Sequence, residues 1–198
     1  MGKQIHLGTI ERLFDKSPIV DFKSIERVVG VTKKSNYAKV LVSNLLKKGK
    51  IHKVAKGFYT KHPEISLAVF AYAPAYLGLQ CALSHLGIWE QETIPVLVTT
   101  RKVRGGIRSS MGSNILIRHL ERKYFFGFDF TKDGDWYLPY SDLEKTFIDM
   151  LVFNQTMSDD LLTKIKIRID PKRLRTYLKK YPDIIRRRVA NKLLRDDY

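Results

Sequence analysis

In the stretch NYAKVLVSNLLKKGKIHKVAKGFY, Asn36 to Tyr59, the hydrophobic pattern changes partway along. Up to Lys48, Ala38, Leu41, Val42, Leu45 and Leu46 recur at helical spacing while Asn36, Lys39, Ser43 and Lys47 project elsewhere, which predicts an amphipathic helix. Gly49 stands where a helix C-terminus often takes positive φ. Beyond it Ile51, Val54, Phe58 and Tyr59 are strand formers around a turn at Ala55-Lys56-Gly57, so a short basic hairpin is expected. A helix running through glycine into a basic hairpin is the order of a winged helix-turn-helix, which sets one helix in a DNA major groove and a wing against the backbone.

Upstream, two further helices complete that motif. Ile5, Ile10, Leu13 and Phe14 give the first an apolar side, and it must end before Pro18. Asp21 is placed to cap a second over Phe22 to Val29, with Phe22, Ile25, Val28 and Val29 at helical spacing and Gly30 as its stop. Thr32 or Ser35 is expected to cap the third helix.

His62-Pro63 marks a boundary, giving an expected winged-helix domain over residues 1–64 and a mixed α/β domain with C-terminal helices over residues 65–198. The overall fold class is α+β. In the second domain Tyr76 to Gly87 reads as a helix stopped by its glycine, and Ile94 to Thr100, Ile115 to His119, Tyr124 to Phe130 and Trp136 to Leu138 read as strands. Asp142 or Ser141 opens a helix to about Phe153, packed through Leu143, Phe147, Ile148 and Leu151. Helices over Ser158 to Ile167, Pro171 to Lys180 and Pro182 to Leu194 close the chain, with Pro171 acceptable in a first turn.

The formal charge of +16 is uneven: residues 1–64 carry 14 Lys/Arg against 5 Asp/Glu, residues 65–150 carry 9 against 9, and residues 151–198 carry 13 against 6. Basic ends around a neutral middle favour polyanionic partners through attraction and counterion release. A single cysteine, Cys81, excludes an internal disulfide framework and a Cys-rich structural metal site, and a reducing, cytoplasmic location is the simplest expectation. MGKQIHLG lacks the apolar run of a signal peptide, and the stretch Ile65 to Leu79 is too short to span a bilayer, so no membrane partner is expected.

On the third helix Ser35, Asn36, Lys39 and Ser43 are the candidates to meet bases, with Asn36 foremost because an amide reads adenine in bidentate fashion. Lys33, Lys34, Lys47 and Lys48 suit phosphates or keep the helix soluble; Lys50, His52, Lys53, Lys56 and Lys61 suit the wing's contact with backbone or minor groove. A loop carrying Arg101, Lys102, Arg104 and Arg108 around Gly105-Gly106 is either a second basic contact or plain solvent-facing chain, and it lacks the GxxxxGK[ST] phosphate cradle. The helix with Arg186, Arg187, Arg188 and Lys192 faces either phosphate or a protein partner.

Enzyme signals are poor. His6, His52, His62, His85 and His119 show neither HxxxH nor HExxH spacing, and there is no GxSxG or GxGxxG, so no metal, cofactor or catalytic residue is assigned. The alternative is a metal-dependent nuclease with a winged-helix targeting domain, its acidic cluster drawn from Glu121, Glu144 and Asp149. Those residues read more simply as helix-surface charges or salt-bridge partners. Of the aromatics from Tyr124 to Tyr137, strand alternation buries about half.

Three blocks in this order resemble the AbiEi-like antitoxin and transcriptional-regulator family of type IV toxin–antitoxin systems. They are Leu45 to Ile51 followed by Lys56-Gly57-Phe58-Tyr59, then Tyr76 to Gly87, then Leu143 to Leu151, covering about residues 5 to 180. The resemblance implies a winged helix that binds operator repeats in double-stranded DNA and represses its own operon. It also implies a second domain that counteracts a nucleotidyltransferase-like toxin. Asn36, Lys39, Ser43, Lys53 and Lys56 fall in its DNA-reading part, and the helix around Glu144 and Asp149 in the second domain's core. Gln80-Cys81 departs from the commoner serine-like pair before Ala-Leu. Because one such module reads few base pairs, a homodimer on a repeated site is expected.

Overall fold

Pro18 and Gly30 punctuate the start of the chain as their chemistry requires. Helix α1 (Ile5–Asp15) ends ahead of the proline, and α2 (Phe22–Val29) ends on Gly30 in the left-handed region at φ 64°. Asp21 caps α2, its carboxylate accepting from the Ser24 amide and hydroxyl, each at 2.9 Å. The computed structural model describes residues 5–30 and 36–194, so Thr32 and Ser35 lie outside the described residues. The next helix, α3 (Tyr37–Lys47), has Asn36 at its N-cap position without a side-chain capping bond.

Its far end is a Schellman motif. Lys50 N–H donates to the Leu45 carbonyl and Gly49 N–H to that of Leu46, both at 3.0 Å, with Gly49 at φ 65°. The chain then enters β2 (His52–Ala55), turns at Lys56-Gly57 and returns as β3 (Phe58–Thr60). A two-residue strand, β1 (Val20–Asp21), pairs antiparallel with the other side of β3 and makes a three-stranded sheet. Ile10, Phe14, Ile25, Val29, Leu41, Val42, Leu45 and Ile51 are buried together beneath these elements. A 3-10 turn and the short α4 (Ala68–Ala71) follow.

The chain divides into two compact units, Met1–Ala71 with Arg108–Asn114, and Tyr72–Ile107 with Ile115–Tyr198. The first therefore runs past the boundary expected at residue 64 and takes in a hairpin tip from later in the chain. That tip belongs to β6 (Gly106–Ser110) and β7 (Ser113–His119), joined by Met111 and Gly112, both at positive φ as a type I′ turn demands. Within the first unit the Ser110 hydroxyl donates to the Val54 carbonyl at 2.8 Å.

The second unit is organised on a six-stranded mixed sheet of order β6-β7-β5-β4-β9-β8. Here the expected helix from Tyr76 is corrected: Ala75–Leu77 is strand β4, antiparallel to β5 (Val96–Thr99) and parallel to β9 (Trp136–Ser141), and only Leu79–His85 is helix, α5. An apolar run buried on both faces carries no period to separate strand from helix. The expected strand from Tyr124 is likewise a 3-10 turn at Arg122–Tyr124, with β8 beginning at Phe128 and ending at Asp133.

Helix α6 (Leu143–Val152) is capped by Asp142, which accepts from the Lys145 amide at 2.8 Å. Ser158 and Asp170 cap α7 (Asp159–Arg168) and α8 (Pro171–Leu178), and α9 (Asp183–Leu193) follows Pro182. The chain is thus a mixed α+β protein. No helix among the described residues is long and apolar enough to cross a membrane.

Candidate nucleic-acid interface

Packing of α3 onto the first unit's core fixes which of its residues meet solvent. Ala38, Leu41, Val42 and Leu45 are buried, whereas Asn36, Lys39, Val40, Ser43, Asn44 and Lys47 are exposed. At 3.6 residues per turn these six lie within an arc of about 140°. The sequence-derived candidates Asn36, Lys39, Ser43 and Lys47 are therefore brought onto one face, while Lys34 and Ser35 lie outside the described residues. Val40, 55% exposed, and Asn44 join that face and were missed from composition alone. Helical phase would have found both, since each stands one turn from a candidate already chosen.

The hairpin carries the remaining candidates. Lys53 and Lys56 are exposed on β2 and at the turn, and Gly57 supplies the turn's positive φ of 79°. Lys50 and Lys61, also expected on the wing, are instead drawn to α1: Lys50 Nζ is 3.3 Å from Glu11, and Lys61 pairs with Asp15. With Ile10, Phe14, Leu45 and Ile51 these four side chains line a shallow cavity of about 320 Å³. Between Glu26 and Glu64 the chain has no acidic residue, so nothing on α3 or the hairpin offsets its lysines.

The second basic segment is not one flexible loop. Arg101, Lys102 and Arg104 lie in the connection between β5 and β6, whereas Arg108 is half-buried on β6 itself, which begins at Gly106. In the second unit α6 carries Glu144 and Asp149, which are buried rather than surface charges. Glu144 Oε1 accepts from the Asp170 amide at 2.7 Å, and its other oxygen is 3.5 Å from the Arg173 guanidinium. Asp149 pairs with Lys145 and accepts from the Tyr76 hydroxyl at 2.5 Å. Burial pushes the Asp149 carboxyl up and the Lys145 ammonium down, and their mutual attraction opposes both shifts.

Lys145 also donates to the Tyr181 hydroxyl at 3.1 Å and lies 5.5 Å from the ring centres of Tyr76 and Phe126. Glu121, the third member of the proposed acidic cluster, is exposed and pairs with Lys123 at 2.8 Å. Among the described residues no group of three or more His, Cys, Asp or Glu side chains is placed to hold a metal ion. Cys81 is buried, and that burial pushes its thiol up to about 11.

The crystal structure of the Rv2827c protein from Mycobacterium tuberculosis is similar to this chain. The TM-score is 0.62 at 12% sequence identity, over 96% of this chain and 75% of that one. At such low identity the likeness shows a shared fold alone. No protein-family model matches the chain, and no curated protein matches it.

Proposed function

We propose that the first unit is a winged helix that binds duplex DNA in a sequence-dependent way, and that the chain is a transcriptional regulator of its own operon. The observation that carries this reading is the solvent face of α3. It gathers two amides, a hydroxyl and two lysines in one stripe, without a carboxylate, and leads through the Gly49 turn into a hairpin bearing Lys53 and Lys56. In this reading α3 enters the major groove and the hairpin is the wing. A homodimer in the cytoplasm engages repeated half-sites.

The second unit we read as a protein-binding module that counteracts a nucleotidyltransferase-like toxin, making the chain an antitoxin of the AbiEi-like kind. Support comes from the order of the three resembling blocks. No observation favours the nuclease alternative, since Glu144 and Asp149 are engaged by partners inside the unit and Glu121 by Lys123.

The test of DNA binding is affinity for the duplex upstream of the chain's own reading frame, measured at fixed salt for the full chain and for Asn36→Ala with Lys39→Ala. Loss of sequence preference in the double variant is expected; unchanged affinity and preference would overturn the reading. For the antitoxin part, the product of the neighbouring reading frame is expressed alone and with this chain. A product harmless alone, or still toxic with the chain in excess, removes that part and leaves DNA binding standing.

A further inference from the structure

At the centre of the α3 solvent face stands a residue that solvent does not favour. Val40 is 55% exposed on a helix, where a β-branched side chain loses rotamer freedom and gains nothing locally. Asn36 lies one turn before it, Asn44 one turn after, and Ser43 beside it, so its two methyl groups sit among amide and hydroxyl groups. Each neighbour has a preferred counterpart on a base edge. An asparagine amide matches the N7 acceptor and N6 donor of adenine, and an apolar group matches the 5-methyl of thymine, which no other DNA base carries. The face holds no arginine, the side chain that most often reads guanine.

We propose that Val40 reads a thymine methyl group and that α3 selects an A·T-rich half-site, with Asn36 or Asn44 on an adjacent adenine. This inference rests on the DNA-binding reading of the first unit and adds the base class it recognises. The hydrophobic gain of one methyl-to-methyl contact corresponds to about a fourfold change in affinity.

The experiment begins by selecting duplexes bound by the full chain from a random pool. Each thymine of the selected site is then replaced singly by deoxyuridine, which removes the methyl group and keeps the hydrogen-bonding edge. Binding is followed by fluorescence anisotropy at fixed salt. The expected result is an A·T-rich core with at least one thymine whose replacement weakens binding about fourfold. In Val40→Ala that penalty disappears, whereas Lys39→Ala weakens both duplexes and keeps their ratio. Because Val40 is exposed, circular dichroism of Val40→Ala should match that of the unaltered chain.

Equal binding of thymine and deoxyuridine duplexes at every position would overturn the inference, as would a G·C core or a penalty that survives Val40→Ala, with DNA binding left intact. A pool that yields no enriched duplex overturns the DNA-binding reading itself, and this inference with it.

Discussion

The Tyr76 hydroxyl donates to Asp149 Oδ2 at 2.5 Å, tying an interior strand of the second unit's sheet to the helix that carries Lys145. Asp149 and Lys145 have no exposed side-chain surface, so each charge depends on the other and on the two tyrosines at positions 76 and 181. Asp149→Ala leaves a buried ammonium without its carboxylate, and a loss of about 3–5 kcal/mol in urea unfolding is expected. Replacing both partners together, Lys145→Met with Asp149→Leu, should cost far less, because no orphaned charge remains. A double variant as unstable as Asp149→Ala would show that the pair contributes more than mutual neutralisation. Tyr76→Phe should cost about 1–3 kcal/mol by removing one hydrogen bond to a charged group.

Gly127 supplies the second prediction. It sits at φ 71°, and a Cβ built there would stand 2.9 Å from Lys145 Cβ and 3.0 Å from the Tyr177 ring. Both the backbone conformation and the space exclude a side chain. Gly57 at φ 79° has only the first restriction, with nothing near its missing Cβ. Gly57→Ala should therefore cost about 1–2 kcal/mol, the penalty for an L-residue in the left-handed region. Gly127→Ala should cost more, because α6 or Tyr177 must also move. Thermal unfolding of the two variants checks the order; equal losses would place the whole effect in the backbone.

What could be read in the sequence follows from how far each interaction reaches along the chain. Pro18, Asp21, Gly30, Gly49, Asp142 and Pro171 act on neighbours within a few residues, and the helix ends they imply are where the structure has them. Tyr76 and Leu77 are expected in a helix yet lie in β4, whose identity comes from pairing with Val96–Thr99 and with Tyr140, both distant in sequence. Of the two readings open for Glu144 and Asp149, helix-surface charges or salt-bridge partners, the second holds, and their burial is what the sequence leaves hidden. The i,i+4 spacing of Lys145 and Asp149 announces one partner, whereas Tyr76, Asp170 and Arg173 are distant in sequence and no spacing rule within α6 points to them. At the candidate interface the local helical phase sufficed for Asn36, Lys39, Ser43 and Lys47, whereas the pairing of Lys50 and Lys61 with α1 needed the fold.

Asp21 gives a pH-dependent prediction. Partial burial pushes its carboxyl up, but the hydrogen bonds from Ser24 outweigh it and hold the group below the usual carboxylate range. Folded protein therefore binds fewer protons at this site than unfolded chain does. The stabilisation is present above the unfolded value, about 3.9, and is lost as pH falls through the lower folded value. Asp21→Asn keeps an acceptor for the Ser24 amide without the charge, so its stability deficit relative to the unaltered chain should shrink as pH is lowered below about 4. Asp21→Ala should cost about 1 kcal/mol at pH 7 by loss of the cap. Urea midpoints between pH 7 and pH 3 measure both; a deficit for Asp21→Asn that widened on acidification would contradict the sign.

The lysines on and beside the β2–β3 hairpin divide into two classes, and the DNA-binding proposal predicts different behaviour for each. Lys53 and Lys56 are exposed, and among the described residues neither is in an ion pair, so each is available to a phosphate. Lys50 and Lys61 face Glu11 and Asp15, and although such exposed ion pairs add little stability, they neutralise the charge that a phosphate would otherwise meet. Lys53→Ala and Lys56→Ala should each weaken binding to all duplexes alike and reduce the slope of log affinity against log salt by roughly 1. Lys50→Ala should leave that slope near its original value. Its partner gives the sharper test: Glu11→Gln frees Lys50, so a steeper slope in that variant would mean that Lys50 does reach the backbone and that α1 only restrains it. Equal slopes for the Lys53, Lys56 and Lys50 variants would mean that the hairpin does not approach DNA by the face assigned to it.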